Sequence, residues 1–76
     1  MSNDSLPMRM YFFVTRHAQG WNVSVEKEPP VSFVSRESAL DAAMAGAKKI
    51  WEDFRQTTGV QVEDPPGAQR IMRTFG

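Results

Sequence analysis

Ser35-Arg36-Glu37-Ser38-Ala39-Leu40-Asp41-Ala42-Ala43-Met44-Ala45-Gly46-Ala47-Lys48-Lys49-Ile50-Trp51-Glu52-Asp53-Phe54 is the stretch on which the fold turns. Ser35 is a good N-cap, because its hydroxyl can accept from a free amide of the first turn. Glu37 then faces the positive end of the helix dipole. Leu40, Ala43, Ala47, Ile50 or Trp51, and Phe54 recur at helical spacing and form one apolar stripe. Ala39, Ala42, Ala43, Ala45, Gly46 and Ala47 make the first half thin, which lets a helix lie close to a sheet. Gly59 occupies the place of a C′ glycine, so the helix is expected to run from Arg36 to about Thr58.

Everything else in the chain reads as strand or turn. Met10 to Arg16 is aromatic and β-branched and reads as a first strand. His17-Ala18-Gln19-Gly20 is a turn, with Gly20 expected to take the positive φ. Trp21, Val23 and Val25 alternate with Asn22, Ser24 and Glu26, the pattern of a half-buried strand. Pro29-Pro30 interrupts it, and Val31 to Val34 is a short third strand at or near an edge. Beyond the helix, Val60 to Glu63 and Gln69 to Phe75 form a hairpin around Asp64-Pro65-Pro66-Gly67. The expected fold class is α+β: an antiparallel sheet in β-β-β-α-β-β order with one long helix on one face. Residues 1–9 read as a disordered N-terminal tail and residues 10–76 as a single domain.

A single helix shields one face of five strands, yet the first strand is apolar on both. Met10, Phe12 and Val14 alternate with Tyr11, Phe13 and Thr15, and the sequence leaves open which set is buried. The last strand is equally ambiguous, with Ile71, Arg73 and Phe75 opposing Arg70, Met72 and Thr74. Trp21 and Trp51 are read as core anchors.

The composition bounds the function. The chain has 76 residues, no cysteine, 9 Lys and Arg against 9 Asp and Glu, and one histidine. Thiolate chemistry, disulfides and thiolate metal sites are therefore absent. Zero formal charge removes the usual electrostatic case for a dedicated nucleic-acid binder. The longest apolar run, Met10 to Val14, is far below the roughly 20 residues of a membrane span, and the first nine residues lack the apolar stretch of a secretory signal. A cytoplasmic setting is expected.

His17 has no nucleophile or orienting group beside it, its neighbours being Arg16, Ala18 and Gln19, and it reads as an exposed turn residue. Glu37 and Asp41 share a helical face, but interspersed Arg36, Lys48, Lys49 and Arg55 mark a solvated surface. Glu52 and Asp53 follow Lys48 and Lys49 by four and read as surface ion pairs. No phosphate-loop, dinucleotide or nucleophile-elbow motif occurs. No catalytic residue, metal ligand or cofactor is expected, and the chain does not read as an enzyme.

Arg9, Arg16, Arg70 and Arg73 come from the two terminal strand regions. If those strands are neighbours, the arginines could share a surface with Tyr11 and Phe13, and cationic side chains beside exposed aromatics are how sheets hold single strands. The candidate partner or nucleic-acid surface is therefore Arg9, Tyr11, Phe13, Arg16, Arg70 and Arg73. The first functional reading is a non-catalytic interaction module that self-associates, a homodimer being the simplest form and another protein partner the next. The alternative is a nucleic-acid-binding accessory protein. No membrane partner is expected.

Gly20-Trp21-Asn22-Val23, Ser32-Phe33-Val34, Glu37-Ser38-Ala39 with Ala42 and Ala43, and Thr74-Phe75-Gly76 follow one another along the chain. That series resembles a family of small bacterial proteins classed as a domain of unknown function, over about Met10 to Gly76. The resemblance implies the architecture and a bacterial cytosolic setting, and implies no mechanism. The final turn departs from that pattern, reading Asp64-Pro65-Pro66-Gly67 instead of a bare Asp-Gly. The β-β-β-α order is also similar to domains that lay a three-stranded sheet into the DNA major groove, although Glu26 on the polar face of the second strand would repel phosphate.

Overall fold

Apolar residues at alternate positions place β1, Met10–His17, at the centre of the molecule. The computed structural model describes residues 8–65 and 67–76. Of the tail expected to be disordered over residues 1–9, residues 1–7 lie outside the described residues, while Met8 and Arg9 are described and hydrogen-bonded to Gln56 and to the carbonyls of Thr58, Phe75 and Gly76. β1 is followed by β2 (Gly20–Val25), β3 (Val31–Phe33), α1 (Arg36–Phe54), β4 (Thr58–Glu63) and β5 (Gln69–Phe75). The five strands form one sheet in the order β3-β2-β1-β4-β5.

The α+β class and the β-β-β-α-β-β order are as the sequence predicts, but the sheet is mixed instead of antiparallel. Two hairpin steps bring β3 back to the direction of β1. α1 then reverses the chain once more, so β4 enters beside β1 running the same way. Crossover through a helix is how parallel neighbours are joined. The other pairs, β1–β2, β2–β3 and β4–β5, are antiparallel.

Alternation now resolves the two faces. Phe12, Val14, Val23, Val60 and Val62 are buried beneath α1, whose Ala39, Ala43 and Ala47 are wholly enclosed. Leu40, Met44 and Ile50 flank that alanine ridge, and Met10, Trp21, Val25 and Phe33 pack against it from the sheet. The stripe lies as expected up to Ile50. Phe54 is a correction, at 76% exposed. The stripe expected there has run past the sheet, because the helix ends at Phe54 itself. Close approach is demanded at Gly46, where a β-carbon would sit 2.8 Å from the Phe12 ring.

Both ends of the helix are chemically defined. Ser35 Oγ accepts from the Ser38 amide at 3.0 Å, as expected of an N-cap. At the far end Arg55, not Gly59, takes the left-handed conformation with φ 55°, and its amide donates to Trp51 O at 2.9 Å. The Arg55 guanidinium folds back over the Trp51 ring, 5.1 Å from its centroid. Thr58 Oγ1 donates to Ala47 O at 2.7 Å, satisfying the one buried polar side chain of the sheet's covered face. Arg36 Nε approaches Asp64 Oδ2 at 3.3 Å, an ion pair that does not meet hydrogen-bond geometry, and links the start of α1 to the β4–β5 turn.

Two turns place a non-glycine residue in the left-handed region, Ala18 after β1 and Glu26, with φ 51°, after β2. The β1–β2 loop is the pair Ala18-Gln19, closed by His17 opposite Gly20. Ala18, with φ 52°, adopts the left-handed conformation expected of Gly20, which instead opens β2. The β4–β5 turn is held by Ala68 N donating to Pro65 O at 2.9 Å and Gly67 N donating to Glu63 Oε2 at 2.8 Å.

Candidate interaction surface

The sheet face away from α1 has no second layer among the described residues. Cross-strand partners lie on the same face, so the pairing gives its layout. One row runs Tyr11, Gly59, Thr74; a second runs Ser24, Phe13, Gln61, Ile71; a third runs Ser32, Asn22, Thr15. Tyr11 and Phe13 stand at the middle of this face, with ring centroids 6.2 Å apart and planes tilted by 46°. That is within the favourable range for an aromatic pair. Ile71, at the β5 end of the second row, is 58% exposed.

Gly59 is the reason Tyr11 lies where it does. A β-carbon at that position would fall 2.7 Å from Tyr11 Cε1 and 3.2 Å from Arg73 O. The missing side chain lets the phenol ring lean from β1 across β4. Gly59 thus serves as the floor beneath an aromatic ring, and not as the helix C-cap that its position after the alanine-rich stretch suggests.

The remaining strand positions on this face are His17, Gly20, Glu63 and Gln69. By alternation and register no lysine or arginine of the strands points to it. Of the four arginines grouped with the aromatic pair in the sequence, Arg16, Arg70 and Arg73 stand on the helix side, and Arg9 is engaged with backbone carbonyls at the entry of β1. Arg9 donates to Thr58 O at 2.8 Å, Phe75 O at 3.2 Å and Gly76 O at 3.1 Å, which ties the entry of β1 to the ends of β4 and β5. Met8 O accepts from Gln56 Nε2 at the same corner. Arg16 stands on the helix side and stacks over Trp21 at 5.2 Å. Arg73 stacks over Phe75 at 5.0 Å.

β5 corrects the simple alternation read from its sequence. Val60 faces Arg73 and Gln61 faces Ile71, so Met72 is an extra residue, a β-bulge. Arg70 opposite Val62 and Arg73 opposite Val60 therefore share the helix-side face, while Ile71 and Thr74 turn to the open face. Without the bulge, Arg70 and Arg73 would point to opposite sides. Of the six candidate residues, Tyr11 and Phe13 are brought together on the open face, and Arg70 and Arg73 on the other.

His17 is exposed at the hairpin and borders an open cleft of about 360 Å³ with Gln19, Asn22, Ser32 and the edges of Trp21 and Phe33. No carboxylate lines that cleft. Among the described residues no three His, Asp or Glu side chains come together as metal ligands, and no helix is long and apolar enough to cross a membrane. Lys48–Glu52 and Lys49–Asp53 form the expected ion pairs at 4.0 and 2.9 Å. The hydrogen bond from Lys49 to Asp53, with its attraction, raises the ammonium pKa above the usual lysine value.

Comparison with known protein families, with curated proteins and with solved structures finds no match for the chain.

Proposed function

We propose that this protein is a non-catalytic interaction module that self-associates through the open face of its sheet. The observation that carries this is the Tyr11–Phe13 pair at the centre of a face without a strand lysine or arginine. Apolar surface left in water forfeits about 25 cal/mol per Å² that a partner could recover. A second copy presents the same strip without a strand lysine or arginine, and twofold self-pairing is the commonest arrangement of soluble oligomers. A nucleic acid would call for cations beside the stacking rings, and here the arginines stand on the far side of the sheet or are engaged with backbone carbonyls. The non-catalytic reading rests on His17, which has no carboxylate to orient it in its cleft. A cytoplasmic setting is part of the same proposal and rests on a chain without cysteine.

Sedimentation equilibrium of the full chain at tens of micromolar tests the reading. The expected mass is twice 8.6 kDa, returning to the single-chain value in the Tyr11→Ser/Phe13→Ser double variant. A single species of one chain mass in the unmodified protein refutes it, as does a dimer that survives the double substitution.

A further inference from the structure

The two edges of the sheet are built differently. β3 has three residues and follows Pro29-Pro30, so it offers little ladder to a newcomer. β5 has seven, contains no proline, and is exposed along its length except at Phe75. Among the described residues its outward amides and carbonyls have no strand beside them. Such an edge either repels other chains or receives a particular one.

We propose that the outer edge of β5 receives an extended, carboxylate-bearing protein segment by strand addition. The bulge at Met72 supplies the specificity. It places Arg70 and Arg73, three apart in sequence, opposite Val62 and Val60, two apart on β4. The guanidinium groups thus follow the two-residue repeat of a regular strand, roughly 6.8 Å. An incoming strand that presents carboxylates at alternate positions matches both. Among the described residues neither arginine has an ionic partner. The Arg73 guanidinium is held 5.0 Å over the Phe75 ring centroid, a contact that leaves it N–H groups with which to donate. Ladder bonds give affinity in this mode and side chains at alternate positions give selectivity.

A second copy is a poor occupant. Antiparallel β5–β5 pairing would gather four arginines on one face, and like charges across strands destabilise a ladder. The arginines thus disfavour self-pairing and favour an acidic guest with the same atoms. A nucleic acid is also disfavoured, because the Tyr11–Phe13 pair on which bases would stack lies on the other face.

The test is fluorescence anisotropy of a fluorescein-labelled nonapeptide alternating valine and glutamate, titrated with the full chain. Two control peptides carry lysine for glutamate, or N-methyl groups on the ladder-facing amides. The glutamate peptide is expected to saturate, and both controls to bind roughly tenfold more weakly or worse. Arg70→Glu/Arg73→Glu, with the fold verified by circular dichroism, is expected to reverse the preference toward lysine. Tyr11→Ser is expected to leave peptide binding unchanged, which separates this site from the open face. Four results overturn the proposal: no saturation by about one millimolar protein, equal binding of the N-methylated peptide, equal binding by the Arg70→Glu/Arg73→Glu variant, or tighter arginine-dependent binding of a single-stranded oligonucleotide.

Discussion

Phe12 and Phe13 are adjacent in β1 and differ only in strand parity. Phe12 is 8% exposed, with its ring seated on Gly46 of the helix. Phe13 is half-buried, turned to the open face, and has Tyr11 as its aromatic neighbour. The covered face joins Phe12 to Val14, Val23, Val60, Val62 and three alanines, with larger side chains such as Trp21, Phe33 and Leu40 only partly buried around them. The open face mixes two large aromatics with Thr15, Asn22, Ser24, Gln61 and Glu63. Side-chain size alone would have buried the wrong residues. The surface that a thin helix encloses completely is set by how closely it can approach, and apart from Phe12 the large side chains of either face stay partly exposed.

The largest test of that contrast is the pair of alanine substitutions at the two phenylalanines. Phe12→Ala is expected to cost about 3–5 kcal/mol, the range for emptying a buried aromatic site. Phe13→Ala should cost about 1 kcal/mol in the monomer, a part of the ~1.5–3 kcal/mol gained by full burial, while weakening self-association. Denaturant melts at a concentration too low for dimers decide the matter; equal losses would erase the distinction between the faces.

Gly59→Ala sharpens it from the open side. The new methyl must push the Tyr11 ring aside or shift the β4–β5 ladder, and an off-rotamer tyrosine costs of order 0.5–1.5 kcal/mol. The chain has a single tyrosine, so its ring resonances in NMR spectra report directly on the displacement. Unchanged ring shifts together with undiminished self-association would show that Gly59 does not seat Tyr11.

The smallest expected effect lies on the helix surface remote from either face. Lys49 has a raised pKa through Asp53, so the contribution of the pair is present below the ordinary lysine pKa. It is lost as pH rises through the higher folded value. Lys49 is fully exposed, and exposed pairs are screened and weak. Asp53→Asn should therefore change a melt at pH 7 barely beyond scatter, and any difference should vanish in strongly alkaline buffer. A large loss at neutral pH, or one that grows with alkalinity, would contradict this assignment.

Much of this fold could be read before the structure, because its signals are local. Ser35 and Glu37 marked the start of α1, and Trp21, Val23 and Val25 marked the buried side of β2. What escaped depended on distant partners. Gly59 looks like a helix terminator until Tyr11 is placed upon it from the other end of the chain. Arg55 could end the helix in a left-handed conformation because Trp51, one turn back, gave its guanidinium a surface. The parallel β1–β4 contact follows from the count of chain reversals, which no single window contains. The bulge in β5 has no glycine to announce it, so Arg70 and Arg73 read as facing apart. For the candidate surface, the Tyr11–Phe13 half was legible as an apolar surplus. The arginine half was misjoined to it, because one inserted residue and the Arg9 contacts with the C-terminal carbonyls decide where the charges go.

The central position of β1 also sets an order of events. β1 pairs with β2 across a two-residue turn, but its other edge waits for β4, and Arg9 reaches Thr58 across 49 positions of chain. The first three strands cannot bury Phe12 and Val14 by themselves, because their cover is α1 and their lateral neighbour is β4. Closing so long a loop before the reward arrives slows folding. A nascent chain that has made β1 to β3 therefore carries a central strand with one edge unpaired until β4 emerges and with Phe12 and Val14 uncovered until α1 packs. That interval is when chains would be most prone to adhere to one another. Measured against the same chain released whole, synthesis paused within α1 should leave the hairpin sensitive to protease and β1 unprotected from hydrogen exchange.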